Sequence, residues 1–145
     1  DAQGVGVDFQ EEMLRRARER FAGDDRVDIR AHDLDEPLPE IGTFDLVVSS
    51  FAIHHVVPDR QRALYGEVFD RLRPGGMFMN LEHVASRTPE LHQAFLDTLG
   101  VEDDPSNKLV AVETQLPWFD EIGFVDADCF WKWRELALLA GWKRA

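Results

Sequence analysis

Short apolar segments alternate along this chain with amphipathic helical segments, and this alternation restricts its fold more than any other feature. Residues 5–9 and 44–51 are apolar enough for strands covered on both faces, whereas residues 26–31 alternate like a half-exposed edge strand. Helices are predicted at residues 10–21 and from Pro58 onward. This order predicts an α/β fold with a doubly wound, mostly parallel sheet.

Residues 86–112 interrupt the alternation and are predicted to form an insertion, a lid or a wall beside a ligand. Within the insertion, Thr88 and Pro89 are expected to begin a helix. Apolar stripes predict which side of each helix is buried. The stripes are Met13, Leu14, Ala17 and Phe21 in the first helix and Leu91, Phe95 and Leu99 in the insertion.

The C-terminal region contains two strands that only Arg134 and Glu135 separate. Residues 125–133 alternate between apolar and polar, and residues 136–142 are almost wholly apolar. Two residues are too few for a parallel crossover, so this pair is predicted to form an antiparallel hairpin. The sheet pattern places the tryptophans mostly in the core, namely Trp118, Trp131, Trp133 and Trp142.

Composition excludes several classes of protein. The 145 residues suffice for one domain, spanning 1–145, and no apolar run is long enough to predict a membrane span. The formal net charge of −12 disfavours nucleic acid as the main partner, because DNA-binding domains neutralise phosphates with basic faces. The single cysteine, Cys129, cannot form an internal disulfide, and a cytoplasmic location is expected.

Five stretches follow one another in an informative order: "GVGVDFQEEMLRRARERF", "AHDLDEP", "FDLVVSSFAIHHV", "LRPGGMFMNLEHV" and "IGFVDADCFWKWRELALLAGWKR". In this order and at this spacing they resemble the class I S-adenosylmethionine-dependent methyltransferases. The resemblance implies a Rossmann-like, seven-stranded sheet in which the last strand is antiparallel and lies between two parallel strands. The hairpin deduced from the residues agrees with that arrangement.

The family's first strand and its Gly-x-Gly-x-Gly loop have no counterpart in this sequence. Gly4 and Gly6 do not replace the loop, because they precede or lie within the second family strand. An N-terminally incomplete domain is therefore expected. Without the first strand, the strands at residues 5–8 and 44–49 would each have an unpaired edge, and a homodimer through these edges is one expected outcome.

The resemblance implies that S-adenosylmethionine binds near Asp8, Phe9, Asp33 and Leu34. Asp8 would accept hydrogen bonds from both ribose hydroxyls, and Phe9 would lie beside the adenine. Asp33 would take the adenine amino group, and the backbone amide of Leu34 would meet a ring nitrogen. The alternatives are local: Asp8 as a helix cap, Phe9 as a helix-entry contact and Asp33 as a turn residue.

The resemblance also implies that Ser50 and Phe51 line the methionine part of the cofactor, at the carboxyl end of their strand. Ordinary packing there is the alternative.

Histidines and one glutamate lie near the same strand ends. His54 and His55 are the candidates for a general base, although structural packing is the favoured interpretation, and the catalytic residues stay unassigned. Glu82 and His83 end the next predicted strand and either contact substrate or lie on the surface. No metal site is predicted, because the histidines show no helical ligand spacing.

The predicted function is methyl transfer from S-adenosylmethionine to an unidentified, small-molecule acceptor. The closing segment is also similar to bacterial proteins likened to an enzyme that methylates a tRNA wobble uridine derivative, but the acidic charge disfavours that substrate. One alternative is an inactive fragment or a pairing module of the same fold. A NAD-dependent dehydrogenase is less favoured, because the Tyr-x-x-x-Lys pair of the short-chain type is missing: Phe69 follows Tyr65 four residues later.

Overall fold

The structure is a computed structural model that describes residues 2–145. It divides into two compact units, Asp1–Ile41 and Gly42–Ala145. None of the helices in residues 2–145 combines the length and apolarity needed to cross a membrane.

The first unit contains strand β1 (Gly4–Asp8), helix α1 (Glu11–Arg20) and strand β2 (Val27–Ala31). β1 and β2 pair in parallel, so the two strands end side by side, with Asp8 opposite Ala31. The apolar stripe predicted for α1 is only partly buried. Leu14 is fully buried, but Met13 and Phe21 are largely exposed, because a sheet of two strands covers only the centre of the helix face.

The second unit contains a four-stranded mixed sheet. Its elements are β3 (Phe44–Ser50), a short 3₁₀ turn (Ile53–His55), α2 (Pro58–Arg71), β4 (Leu72–His83), α3 (Pro89–Leu99), α4 (Val112–Ile122), β5 (Phe124–Trp133) and β6 (Leu136–Lys143). The strand order is β3-β4-β6-β5, with β3 and β4 parallel and β6 antiparallel to both of its neighbours. The predicted hairpin is confirmed, and its reversed strand lies between two strands of the opposite direction.

An aromatic cluster joins α2 and α4 to one face of this sheet. Tyr65 from α2 and Phe119 from α4 both contact Phe78 of β4, with ring centroids 5.2 and 5.8 Å apart. All three side chains are fully buried. β6 passes so close to this cluster that a Cβ on Gly141 would lie 2.9 Å from the Phe119 ring, so glycine is needed there.

The helix predicted within the insertion is confirmed as α3. The Thr88 hydroxyl accepts a hydrogen bond from the Leu91 amide, and the helix ends at Gly100 in the left-handed conformation. Its predicted stripe is partly wrong. Leu91 and Leu99 are about half exposed, and the buried pair is Phe95 and Leu96. The ring of Phe95 packs against His83 of β4 and Trp133 of β5.

Two other expectations about burial are wrong. β3 was predicted to be covered on both faces, but Leu46 and Val48 are 48 % and 62 % exposed. β3 has a neighbour on one side only within its sheet, and α2 and α4 pack mainly on the other three strands. Trp131 and Trp133 are also largely exposed, because they lie on β5, the other edge strand. Pairing of a second chain with the free edges of β1 and β3 stays a prediction.

Candidate functional site

Two acidic residues lie at the carboxyl ends of β1 and β2. Asp8 ends β1, and its carbonyl accepts a hydrogen bond of 2.8 Å from the His32 amide, which leads directly to Asp33. The parallel pairing therefore brings Asp8 and Asp33 to one edge of this small sheet. Phe9 is exposed beside this edge, whereas Leu34 is half-buried.

Both carboxylates take part in local turns. Asp8 Oδ1 accepts the Gln10 amide at 2.8 Å, and Asp33 Oδ1 accepts the Asp35 amide at 3.0 Å. The local roles considered for these residues are therefore real. Within residues 2–145, the second oxygen of each carboxylate has no hydrogen-bond partner, so both can still accept a hydrogen bond from hydroxyl or amino groups of a ligand.

In the second unit, the end of β3 is conformationally strained. The Phe51 amide donates to the Leu81 carbonyl at 2.8 Å, and Phe51 has a φ of +49°, which non-glycine residues rarely adopt. Ser50 is exposed just before this bend. The bend brings the Phe51 side chain into the wall of a cleft.

This cleft has a volume of about 420 Å³ and opens at the carboxyl ends of β3 and β4. The turn after β3, the end of β4, helix α3, the loop that follows α3 and the start of β6 all contribute to its wall. The lining residues are Phe51, His54, His55, His83, Phe95, Leu96, Leu99, Val101, Glu102, Asp104, Asn107 and Leu136. In a parallel region of a sheet, this is the position where ligands bind.

His54 lies in the cleft wall and is held by a buried carboxylate. Its Nδ1 lies 2.5 Å from Glu82 Oε1, and its amide donates to Glu82 Oε2 at 3.1 Å. Because a carboxylate only accepts, Nδ1 carries the proton, and in the neutral ring Nε2 keeps its lone pair. Among the described residues, Nε2 has no hydrogen-bond partner. His54 is thus oriented as a proton acceptor facing a cleft.

His55 is bound more loosely. It is exposed, and its Nδ1 lies 3.4 Å from the Ser106 hydroxyl. Partial burial and the neighbouring His54 ring lower the pKa of His55, so its ring is neutral at pH 7.

Two neighbouring residues of β4 provide further hydrogen-bond donors to Glu82. The His83 amide donates to Glu82 Oε1 at 2.9 Å, and Asn80 Nδ2 lies 3.5 Å from Oε2. Asn80 also donates to the Tyr65 hydroxyl at 2.9 Å, which in turn donates to Gln115 at 2.6 Å. Burial raises the pKa of Tyr65, so it remains a neutral donor.

A second buried carboxylate, Glu135, lies behind the cleft wall, where it binds His83. It is fully buried in the turn of the hairpin, with Oε2 2.8 Å from His83 Nε2 and Oε1 2.9 Å from His92 Nδ1. Burial alone would raise the pKa of Glu135, but hydrogen bonds from Ser86, His83 and His92 outweigh it and hold the pKa below its ordinary value. Glu135 thereby ties β4, α3 and the hairpin together.

The loop after α3 is attached to the backbone at His54. The Lys108 amide donates to the His54 carbonyl at 2.7 Å, and Gln61 Nε2 donates to the carbonyls of both Val56 and Lys108. Gln61 is fully buried. These bonds fix the end of the loop beside the histidine, whereas residues 102–106 remain exposed.

Sequence reasoning identified both His54 and Glu82, but it expected Glu82 to contact substrate or to lie on the surface, whereas Glu82 is fully buried and orients His54. It treated Glu135 only as a turn residue. The partners of Glu135 lie 43 and 52 residues away, at His92 and His83. An acid in a hairpin turn is ordinary, so no local pattern could have revealed this cluster. Within residues 2–145, no group of three or more metal-ligating side chains could hold a metal ion.

Comparisons with known proteins agree on one family. A family model described as "Methyltransferase domain" matches residues 1–76. A demethylmenaquinone methyltransferase from Clavibacter sepedonicus is 35 % identical over 95 residues, which cover 65 % of this chain and 38 % of that protein. The chain thus spans about two fifths of the length of this curated relative.

Solved structures share the fold. An O-methyltransferase family protein from Burkholderia thailandensis has a TM-score of 0.76 at 18 % identity, over 99 % of this chain and 44 % of its own. The human N-acetylserotonin methyltransferase in complex with SAM has a TM-score of 0.66 at 18 % identity, over 99 % of this chain and 41 % of its own. The predicted α/β fold class is confirmed.

Proposed function

The chain belongs to the methyltransferase domain family, and from this premise we propose that it transfers a methyl group from S-adenosylmethionine to a small-molecule acceptor. One observation supports this proposal most directly. A cleft of about 420 Å³ at the strand ends contains a histidine that a buried carboxylate orients. Such a cleft suits a small acceptor, and such a histidine suits an acceptor that loses a proton.

The chemistry of the donor set fits the cofactor. The free oxygens of Asp8 and Asp33 are acceptors for ribose hydroxyls and for the adenine amino group, respectively. Phe9 offers an exposed aromatic face for the adenine, and the Leu34 amide is proposed to meet a ring nitrogen. Ser50 and Phe51 are proposed to line the methionine part. When bound, S-adenosylmethionine supplies an electrophilic methyl group on a positively charged sulfur.

The proposed role of His54 is to accept a proton at Nε2 from the hydroxyl or amine of the acceptor. Glu82 keeps Nδ1 protonated and stabilises the imidazolium that forms, as the carboxylate of a catalytic triad does. Phe95, Leu96 and Leu99 keep water from the acceptor, and holding the acceptor in place lowers the barrier by positioning. In this proposal, the insertion at residues 86–112 is the substrate wall.

Calorimetric titration with S-adenosylhomocysteine tests the proposal on the chain as given. We expect micromolar binding. Asp8→Asn keeps the turn to Gln10 but removes one acceptor and the charge, so binding should weaken about tenfold. Asp28→Asn, the same change on exposed β2, is the matched control and should bind as the unaltered chain does. Absence of heat at millimolar ligand would favour an inactive pairing module.

A further inference from the structure

The lining of the cleft is chemically divided. The apolar part comes from Phe51, Phe95, Leu96, Leu99 and Val101, and it can cover the body of an aromatic or aliphatic molecule. The polar part consists of histidines, one asparagine and two carboxylates, Glu102 and Asp104. A ligand in this cleft therefore meets apolar carbon on one side and carboxylates at the rim.

The charged residues of the lining are all acidic. No lysine or arginine is among the lining residues, and the carboxylates of Glu82 and Glu135 lie behind the wall, bound to histidines. Cations also lie on neighbouring segments, among them Arg87, Lys108 and Arg134. None of these three lines the cleft, and Lys108 and Arg134 donate to backbone carbonyls.

The rim remains negative at neutral pH. Hydrogen bonds from the backbone and hydroxyl of Ser106 lower the pKa of Asp104, so this carboxylate is ionised. His55, beside it, is neutral because burial and His54 lower its pKa. An anionic ligand would find no partner for its charge here, and a cation would find one at the rim.

The histidine in the wall provides independent evidence for a ligand. The side chain of His54 is 6 % exposed, so it is more than nine-tenths buried, and its Nε2 has no partner among the described residues. The Nε2 of a neutral imidazole at the wall of a cleft can accept a hydrogen bond from a donor inside the cleft. The hydroxyl or amine of a ligand is such a donor.

We propose that this cleft binds acceptors with an apolar body and a neutral or cationic polar end, and that it rejects acceptors bearing a carboxylate or phosphate. The inference rests on the proposed function, since it specifies the substrate class of the same site. The apolar wall covers the body, His54 accepts from its hydroxyl or amine, and Glu102 with Asp104 attracts a cationic end.

Three phenols of nearly equal size test this selectivity: tyramine, 4-ethylphenol and 4-hydroxyphenylacetate. Their far ends are cationic, neutral and anionic, respectively. Binding is measured by ligand-observed NMR at low ionic strength and without cofactor. We expect tyramine to bind about ten times more tightly than 4-hydroxyphenylacetate, with 4-ethylphenol between them, because the rim charges are only partly screened.

The rim carboxylates are tested by the double variant E102Q/D104N, in which the amide oxygen introduced at position 104 can still accept the Ser106 amide. Its preference for tyramine should fall to about twofold, since the remaining carboxylates lie behind the wall. The matched control is E113Q/D120N, two exposed acids of α4 outside the cleft lining, and it should keep the full preference.

Two outcomes would overturn the inference: equal or tighter binding of 4-hydroxyphenylacetate, or no binding of any of the three phenols in the millimolar range. These results are independent of the S-adenosylhomocysteine titration. If the chain binds S-adenosylhomocysteine but does not discriminate among the phenols, only this inference fails. If it discriminates among the phenols but does not bind S-adenosylhomocysteine, only the proposed methyl transfer fails.

Discussion

Two buried glutamates of this protein hold histidines, but different kinds of donor surround them. Glu82 accepts from the backbone amides of His54 and His83 as well as from the His54 ring. Glu135 is held by side chains, the rings of His83 and His92 and the hydroxyl of Ser86. Backbone amides do not titrate and survive substitution, whereas imidazoles titrate and are lost when the residue is replaced.

The difference separates two tasks. The backbone bonds make the Glu82 carboxylate a fixed support, which leaves Nε2 of His54 available to a ligand. The Glu135 carboxylate instead uses both oxygens to join elements distant in sequence. We therefore expect changes around Glu82 to alter chemistry more than stability, and changes around Glu135 to alter stability more than chemistry.

The largest effect is expected from His54→Ala on methyl transfer. Loss of a general base should lower the initial rate about 10²–10⁴-fold, because the acceptor then reaches the methyl group still protonated. The measurement is transfer of a radiolabelled methyl group to an acceptor that the unaltered chain turns over. His55→Ala is the control and should change the rate little. Equal losses in both variants would contradict the assignment of the base.

The next largest effect is on stability. The double variant H83A/H92A leaves Glu135 buried without an imidazole partner, and we expect the free energy of unfolding to fall by about 3–5 kcal/mol. His54→Ala leaves Glu82 with its amide donors, so about 1–3 kcal/mol is expected. Urea denaturation followed by circular dichroism measures both. A larger loss in His54→Ala would reverse the comparison.

The pH dependence of the Glu135 cluster should follow from its histidine. Hydrogen bonding to Glu135 raises the pKa of His92 above 6.5, so this contribution to stability is full below about pH 6.5 and is lost as pH rises through the raised value. Burial acts to raise the pKa of Glu135, but the hydrogen bonds from Ser86 and His83 hold this pKa below 4.5. The stability that the ionised Glu135 contributes is therefore lost only as the pH falls through this lowered pKa.

The Tm difference between the unaltered chain and His92→Gln, recorded from pH 4 to 9, checks this dependence. The difference should be widest at about pH 4.5–6.5 and should narrow on both sides. Asp103, 3.4 Å from His92 Nε2, also favours the charged form of His92, so Asp103→Asn should slightly reduce this Tm difference. A difference that grows above pH 7 would refute the cluster's proposed protonation state.

The smallest effect is expected at an exposed ion pair. Arg62 and Glu121 join α2 to α4 with both side chains more than half exposed. Because water screens such pairs, Arg62→Ala should cost less than about 1 kcal/mol of unfolding free energy in the same urea experiment. If Arg62→Ala lowered the unfolding free energy as much as H83A/H92A does, the burial of Glu135 would not explain why its partners matter more for stability than an exposed ion pair.

The sequence predicted most of the architecture because the information was local. Two residues between β5 and β6 allow only a hairpin, and Thr88 with Pro89 marks the start of α3. Exposure was predicted less well. Val48 and Trp131 are apolar residues on edge strands, and periodicity cannot show which strand lies at an edge.

The candidate site was predictable only in part. The position of His54 after a strand identified it as a residue near the ligand edge, but its orientation depends on Glu82, 28 residues later. The Glu135 cluster depends on three segments that meet only in the folded chain. Predicting the pair of His83 and Glu135 requires the register of β4 against β6, which the sequence does not specify.

The attachment of Lys108 to the carbonyl of His54 has a consequence for how this protein can change over generations. The anchor uses backbone groups and the buried Gln61, so it does not depend on the side chains at residues 102–106. Those positions are free to vary and to admit new acceptors while the histidine keeps its place. Residues 102–106 can therefore change the choice of substrate, while the adjoining anchor at Lys108 keeps His54 in place.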